Sequence, residues 1–88
     1  MKEIEFVKKY SGWKKVQLLS YDGFKFYFES PFGELNELSN IKYFYAGQIK
    51  EYIIAIAQNS YYIGYWYDEK TIYCFAECET LQEACEGF

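Results

Sequence analysis

Much of this chain is written in a period of two. In Phe24-Lys25-Phe26-Tyr27-Phe28-Glu29 the three phenylalanines fall on one side of an extended backbone, and the lysine, tyrosine and glutamate fall on the other. Such alternation selects strands with one buried face, and the Phe face is assigned to the core. Before this run, residues 13–20 (WKKVQLLS) also read as a strand. Asp22-Gly23 between the two supplies the positive φ of a tight turn, which predicts a hairpin.

The remaining segments extend the pattern. Residues 3–9 (EIEFVKK) read as a strand, with a short amphipathic helix as the competitor, and Ser11-Gly12 ends them. Ser30-Pro31-Phe32-Gly33 stops the Phe strand, because proline lacks the ladder donor and fixes φ. Residues 34–40 read as a loop with a short helix and 41–46 (IKYFYA) as a strand; a continuous helix over 35–46 is disfavoured by the β-preferring cluster Ile41-x-Tyr43-Phe44-Tyr45. Gly47-Gln48 reads as a bend. Residues 51–57 (EYIIAIA) are apolar on both faces and so predict a central strand. Residues 61–67 (YYIGYWY) and 71–77 (TIYCFAE) read as a hairpin.

At the end the period changes. Leu81, Ala84, Cys85 and Phe88 lie on one helical stripe, and Thr80 with Glu83 makes a capping-box pattern. The expected fold is α+β: a mostly antiparallel, twisted sheet of five to seven strands in meander-like hairpins, with a short C-terminal amphipathic helix on one face. With 88 residues, six Gly, one Pro and no linker, residues 1–88 form one small domain. A chain this short buries roughly 64% of its unfolded surface. The core is therefore thin, and eleven Tyr with a mean hydropathy of -0.30 leave many rings near the surface.

The chemistry is narrowed by absences. There is no His, and all nine basic residues are Lys. No imidazole base, no Ser-His or Cys-His pair and no His-containing metal site can be assembled. Cys74, Cys78 and Cys85 are odd in number and lack a fourth ligand, so they read as small hydrophobes in a reducing cytoplasm. No catalytic, cofactor or metal residues are assigned. Asp22, Asp68, Glu69 and Glu77 are the candidate carboxylates for acid–base work, and each lies in or beside a turn where acids are common. The mixed charges of MKEIEFVKKY and the shortness of the apolar run Tyr52–Ala57 predict neither a signal peptide nor a membrane span.

Charge is unevenly distributed. Residues 1–30 carry six Lys against four acids, and residues 31–88 carry three Lys against nine acids, so a net +2 precedes a net -6. Lys8, Lys9, Lys14 and Lys15 form a small basic patch. Gly23 to Phe28 partly resembles the aromatic strand of the RRM family of RNA-binding domains, but Asp22 stands where that family has a basic residue. With net charge -4 and no Arg, direct nucleic-acid binding is not expected.

Tyr61 to Tyr67 presents large rings on both faces of one strand, and Tyr and Trp are favoured at binding hot spots. The expected partner site joins Tyr62, Tyr65, Trp66 and Tyr67 to Asp68, Glu69, Glu77, Glu79, Glu83 and Glu86. It predicts a non-enzymatic protein-binding module or inhibitor whose partner is a basic protein, such as a nucleic-acid-binding effector. Small size, clustered acids and a Lys, Ile and Tyr bias expected of AT-rich coding are similar in general character to phage anti-defence inhibitors of the anti-CRISPR or anti-restriction type. Those act by steric block or nucleic-acid mimicry, in the host cytoplasm. Two alternatives stand beside this: a small-ligand binder or carboxylate-dependent hydrolase with an aromatic-lined pocket, and an immunity-type partner or homodimer that pairs through a sheet edge.

Overall fold

The structure, a computed structural model, describes residues 1–47 and 51–87. Its elements are α1 (Glu3–Ser11), β1 (Val16–Ser20), β2 (Lys25–Glu29), β3 (Leu35–Leu38), β4 (Ile41–Gly47), β5 (Tyr52–Ala57), β6 (Tyr61–Trp66), β7 (Thr71–Cys78) and α2 (Leu81–Glu86). The α+β class holds: seven strands form one sheet in the order β1-β4-β5-β6-β7-β2-β3, every pairing antiparallel except β2 with β7.

The order departs from a meander at two places, where β1 lies beside β4 and β7 beside β2. The predicted hairpin of β1 with β2 does not form: β1 pairs with β4, and β2 pairs with β7 and β3. The turn at Tyr21–Phe24 is present, closed by the Phe24 N–H to the Tyr21 carbonyl at 3.0 Å. Its geometry explains the outcome. Gly23 has φ 86°, but among the described residues no non-glycine has positive φ. A type I′ hairpin turn needs positive φ at both central residues, whereas positive φ at the second alone belongs to a type II turn, whose twist splays the flanking strands.

Because β1 and β2 are joined by so short a link yet lie far apart in strand order, the sheet must curl. Phe26 on β2 and Phe44 on β4 are four strand positions apart, roughly 19 Å in a flat sheet. Their ring centroids are 5.2 Å apart. The concave side therefore closes on a core of Phe26, Phe44, Ile53, Tyr62, Ile72 and Cys74, with Phe24, Phe28 and Trp66 packed against it. The alternation of the three phenylalanines delivers all three rings to this side.

Helices cover part of the convex side. Val7 of α1 and Ala84 and Cys85 of α2 pack with Tyr45, Ile54, Ile56 and Ile63 in a second core. Here a second expectation is corrected, since residues 3–9 are helix and not strand. Ile4 and Val7 share one face, the Phe6 and Tyr10 rings meet in a tilted contact at 4.5 Å one turn apart, acids occupy the first turn and lysines the last, and Gly12 ends the helix in the left-handed conformation at φ 76°. Tyr43 and Tyr45 hydroxyls both donate to Glu3 Oε1, at 2.8 and 2.6 Å, and tie α1 to the sheet. As expected, Thr80 caps α2, its Oγ1 accepting from the Glu83 N–H at 3.1 Å.

Residues 34–40 are also corrected. Leu35–Leu38 is a strand, joined to β2 by a loop in which the Gly33 N–H donates to the Ser30 carbonyl and the Ser30 N–H to the Glu34 carbonyl. The Leu35 and Leu38 spacing suggested a helical turn, but pairing with β2 outweighs so weak a signal in a four-residue stretch. The strand at 41–46 is present, and β5 is interior with Ile53 to Ala57 all buried. β6 and β7 pair as read, with a bulge at Phe75. The bend expected at Gly47-Gln48 lies partly outside the described residues, as does Phe88 of the helical stripe.

Candidate functional site

Alternation along β6 divides its rings between the two faces of the sheet. Tyr62, Gly64 and Trp66 point to the concave side, while Tyr61, Ile63 and Tyr65 point to the convex side. Two surfaces result, meeting at the β6–β7 connection.

The convex side beyond the helices carries an aromatic strip. Tyr27 contacts Tyr73 at 5.9 Å, Tyr73 stacks on Tyr67 at 4.4 Å and meets Tyr65 at 6.0 Å, Tyr65 contacts Phe75 at 6.2 Å, and Phe75 contacts Tyr52 at 6.4 Å. These six rings run across β2, β7, β6 and β5. The most open members are Tyr67, 61% exposed, Phe75 at 43% and Tyr52 at 41%. Edge-to-face, tilted and stacked contacts hold the ladder together, and the Tyr65 hydroxyl donates to Glu29 Oε2 at 2.9 Å. That hydrogen bond, with some burial, raises the Tyr65 pKa, so the phenol stays neutral and donating.

On the concave side a cleft of about 730 Å³ opens at one end of the curled sheet. Leu19, Phe24 and Trp66 supply its apolar floor, with Ala46 and Gly47 as a wall. Lys15, Gln17, Asp68 and Glu69 stand at its rim. Phe24 meets Trp66 edge to face at 5.7 Å and Phe44 at 5.1 Å, so the floor continues into the core. Among the described residues the buried Trp66 Nε1–H has no hydrogen-bond partner, a cost of about 1–3 kcal/mol at the floor of the cleft.

The rim acid is held by its own turn. Asp68 Oδ1 accepts from the Lys70 N–H at 2.9 Å, and the Tyr67 N–H donates to the Thr71 carbonyl at 2.9 Å. The backbone hydrogen bond from Lys70 lowers the Asp68 pKa, keeping the side chain ionised. Asp68 is thus a fixed negative charge and not a proton donor of the kind a glycosidase-type acid needs.

The residues expected to share one face are dispersed. Tyr65 and Tyr67 lie in the convex strip, and Trp66, Asp68 and Glu69 border the cleft. Tyr62 is buried, its hydroxyl donating to Glu77 Oε2 at 2.6 Å, and burial followed by that bond raises its pKa. It has little ring left to offer a partner. Glu79 precedes α2, and Glu83 and Glu86 are exposed on it. The strip also contains Tyr27, Tyr52, Tyr73 and Phe75, which the sequence reading passed over. Parity alone puts Tyr27 opposite the Phe face, but only strand order shows that Tyr27, Tyr73 and Tyr65 become neighbours.

The thiols are quiet: burial pushes Cys74 up to about 12 and Cys85 up to about 11. Among the described residues no group of three His, Cys, Asp or Glu side chains is placed to hold a metal ion, and no helix is long and apolar enough to cross a membrane. The edges available for strand addition are β1 and β3, while Tyr52–Ala57 and Tyr61–Trp66 are both interior. No protein-family model, curated protein or solved structure matches the chain.

Proposed function

We propose that this protein is a non-enzymatic binding module that docks on a basic protein through the uncovered half of its convex sheet face. The observation that carries this reading is the unbroken strip of six rings, three of them more than 40% exposed, on a domain with a thin core. Rings held at fixed spacing on a rigid sheet bring wide contact area at small entropic cost. Their faces also attract Lys and Arg. The net -6 of residues 31–88 favours a partner of opposite sign. A nucleic-acid-binding effector is the partner class that best suits this charge, and a phage-encoded inhibitor acting by steric block in the host cytoplasm is the biological setting that best suits the composition.

The test is capture from the source cell with two baits besides the wild type. One carries Tyr67→Thr, Tyr73→Thr and Phe75→Thr; the other carries Glu79→Gln, Glu83→Gln and Glu86→Gln. Folding of each is checked by circular dichroism and thermal unfolding. We expect one basic protein retained by the wild type, weakened about 100-fold or more by the aromatic variant, and released as salt rises. Loss of binding in the helix variant alone, or an affinity indifferent to salt, overturns the reading.

A further inference from the structure

The cleft on the opposite face has a composition of its own. Its volume of about 730 Å³ lies within the range of small-molecule sites, and its floor of Leu19, Phe24 and Trp66 with a few polar groups above is the usual division of labour in such sites. The rim sets two carboxylates, Asp68 and Glu69, against one ammonium, Lys15, with the Gln17 amide beside them. The lining of the cleft itself therefore carries -1 above two aromatic rings, while Lys25 and Lys70 flank the same two acids from outside it, on a chain whose own net charge is -4. A neutral apolar ligand would satisfy the floor and leave the carboxylates unused. An anion would meet Lys15 but be opposed by both acids. A flat cation satisfies floor and rim together, since ring faces and carboxylates both attract positive charge.

We propose that this cleft is a binding site for a flat organic cation, an aryl group bearing an amidinium or ammonium, that lies against Trp66 and Phe24 with its charge toward Asp68 and Glu69. Asp68 is suited to the role because its turn holds it in place: the Lys70 N–H fixes one carboxylate oxygen, and the Tyr67 and Asp68 N–H groups both donate to the Thr71 carbonyl. The charge is preorganised and little ordering remains to be done on binding. The site is independent of the convex strip, because Trp66 points to the side opposite Tyr65.

Three probes of one shape and different charge separate the possibilities: benzamidinium, neutral benzamide and anionic benzoate. Each is titrated into the isotopically labelled protein, following the Trp66 indole N–H and the Gln17 side-chain amide by NMR, with Trp66→Phe used to assign the indole signal. We expect saturable shifts at both reporters with benzamidinium binding roughly 3–10-fold more tightly than benzamide and benzoate weakest. Asp68→Asn with Glu69→Gln removes the preference for benzamidinium over benzamide, whereas Glu83→Gln on α2 leaves that preference unchanged. Equal affinity for all three probes, a preference for benzoate, no saturable shift, or shifts confined to Tyr67 and Tyr73 each overturn the proposal. None of these outcomes depends on whether the convex strip binds a protein.

Discussion

Glu3 holds the N-terminal helix to the sheet through two phenols, and removing it should cost far more than removing an ordinary surface acid. Tyr43 and Tyr45 hydroxyls converge on one carboxylate oxygen at 2.8 and 2.6 Å, with Tyr45 only 2% exposed. Hydrogen bonds to an ionised acceptor are worth about 1.5–3 kcal/mol each. Because Glu3 is itself half-buried and partly solvated, the two together are assigned about 2–4 kcal/mol and not their full sum. A Glu3→Ala variant should therefore melt on the order of 10–20 °C lower, given roughly 4–8 °C per kcal/mol for a domain of this size. The clean measurement is a double-mutant cycle of Glu3→Ala with Tyr45→Phe by urea unfolding. It should return a coupling of about 1.5–3 kcal/mol.

The same clamp sets an alkaline limit. Burial first, and then the bond to Glu3, push Tyr43 up to about 12 from the ordinary value of 10.0, and Tyr45 is raised by the same causes in the same order. A folded pKa above the unfolded one means that the neutral phenol is favoured by the fold. The stability contributed is complete below pH 10 and is lost as pH rises through about 12. Spectrophotometric titration of the tyrosines should show this late class in the wild type, shifted part of the way back toward 10.0 in Glu3→Ala because burial persists. A coupling below about 0.5 kcal/mol, the level of an exposed ion pair, together with an unchanged titration, would refute the clamp.

Other expectations follow from close packing and from the turns. A Cβ at Gly64 would sit 2.9 Å from the Tyr73 carbonyl oxygen and 3.0 Å from Cys74 Sγ, so Gly64→Ala should destabilise by about 1–3 kcal/mol in urea unfolding. Ile54 has no exposed surface, and Ile54→Ala should cost about 2–5 kcal/mol by the same assay. Thr80→Ala removes the hydrogen bond to the Glu83 N–H and should cost about 1 kcal/mol. With Cys74 and Cys85 buried and their pKa values pushed up, a thiol reagent at neutral pH should modify Cys78 first and slowly in the native protein, and all three cysteines in urea.

What the sequence made legible was whatever depends on local periodicity. The Phe face of residues 24–29, the two-sided burial of β5 and the capped helix at Thr80 can all be read from neighbouring residues, because period and burial are the same fact there. Residues 3–9 read as a strand ahead of the competing short helix because Ile4 and Phe6 alternate among charges. The helical reading needed the pairing of Ile4 with Val7, the acid-to-lysine gradient and the Gly12 stop taken together. Asp22-Gly23 misled for a subtler reason. The dipeptide fixes that a turn occurs but not its hand, and the type II geometry sends β2 to pair with β7 instead of folding it back on β1.

That one turn also explains why the candidate site was only half visible. With β2 inserted beside β7, Tyr27 reaches Tyr73, and the convex strip gains a strand that no local pattern announces. On the other face the same insertion curls the sheet until Phe24 touches both Phe44 and Trp66, which closes the floor of the cleft. Residues 61–67 carry rings on both faces of the strand, and summing those rings into one surface merges two surfaces that the curled sheet keeps apart. A Gly23→Ala substitution therefore tests more than a turn. Gly23 sits at φ 86° with nothing crowding its Cβ position, so the cost is conformational and on the order of 1–2 kcal/mol. If the turn alone sets the path from β1 to β2, the variant should unfold more easily in urea yet keep, while folded, the Trp66 indole shift of the wild type. A Trp66 environment that changes while stability does not would show that the cleft is shaped by something other than this turn.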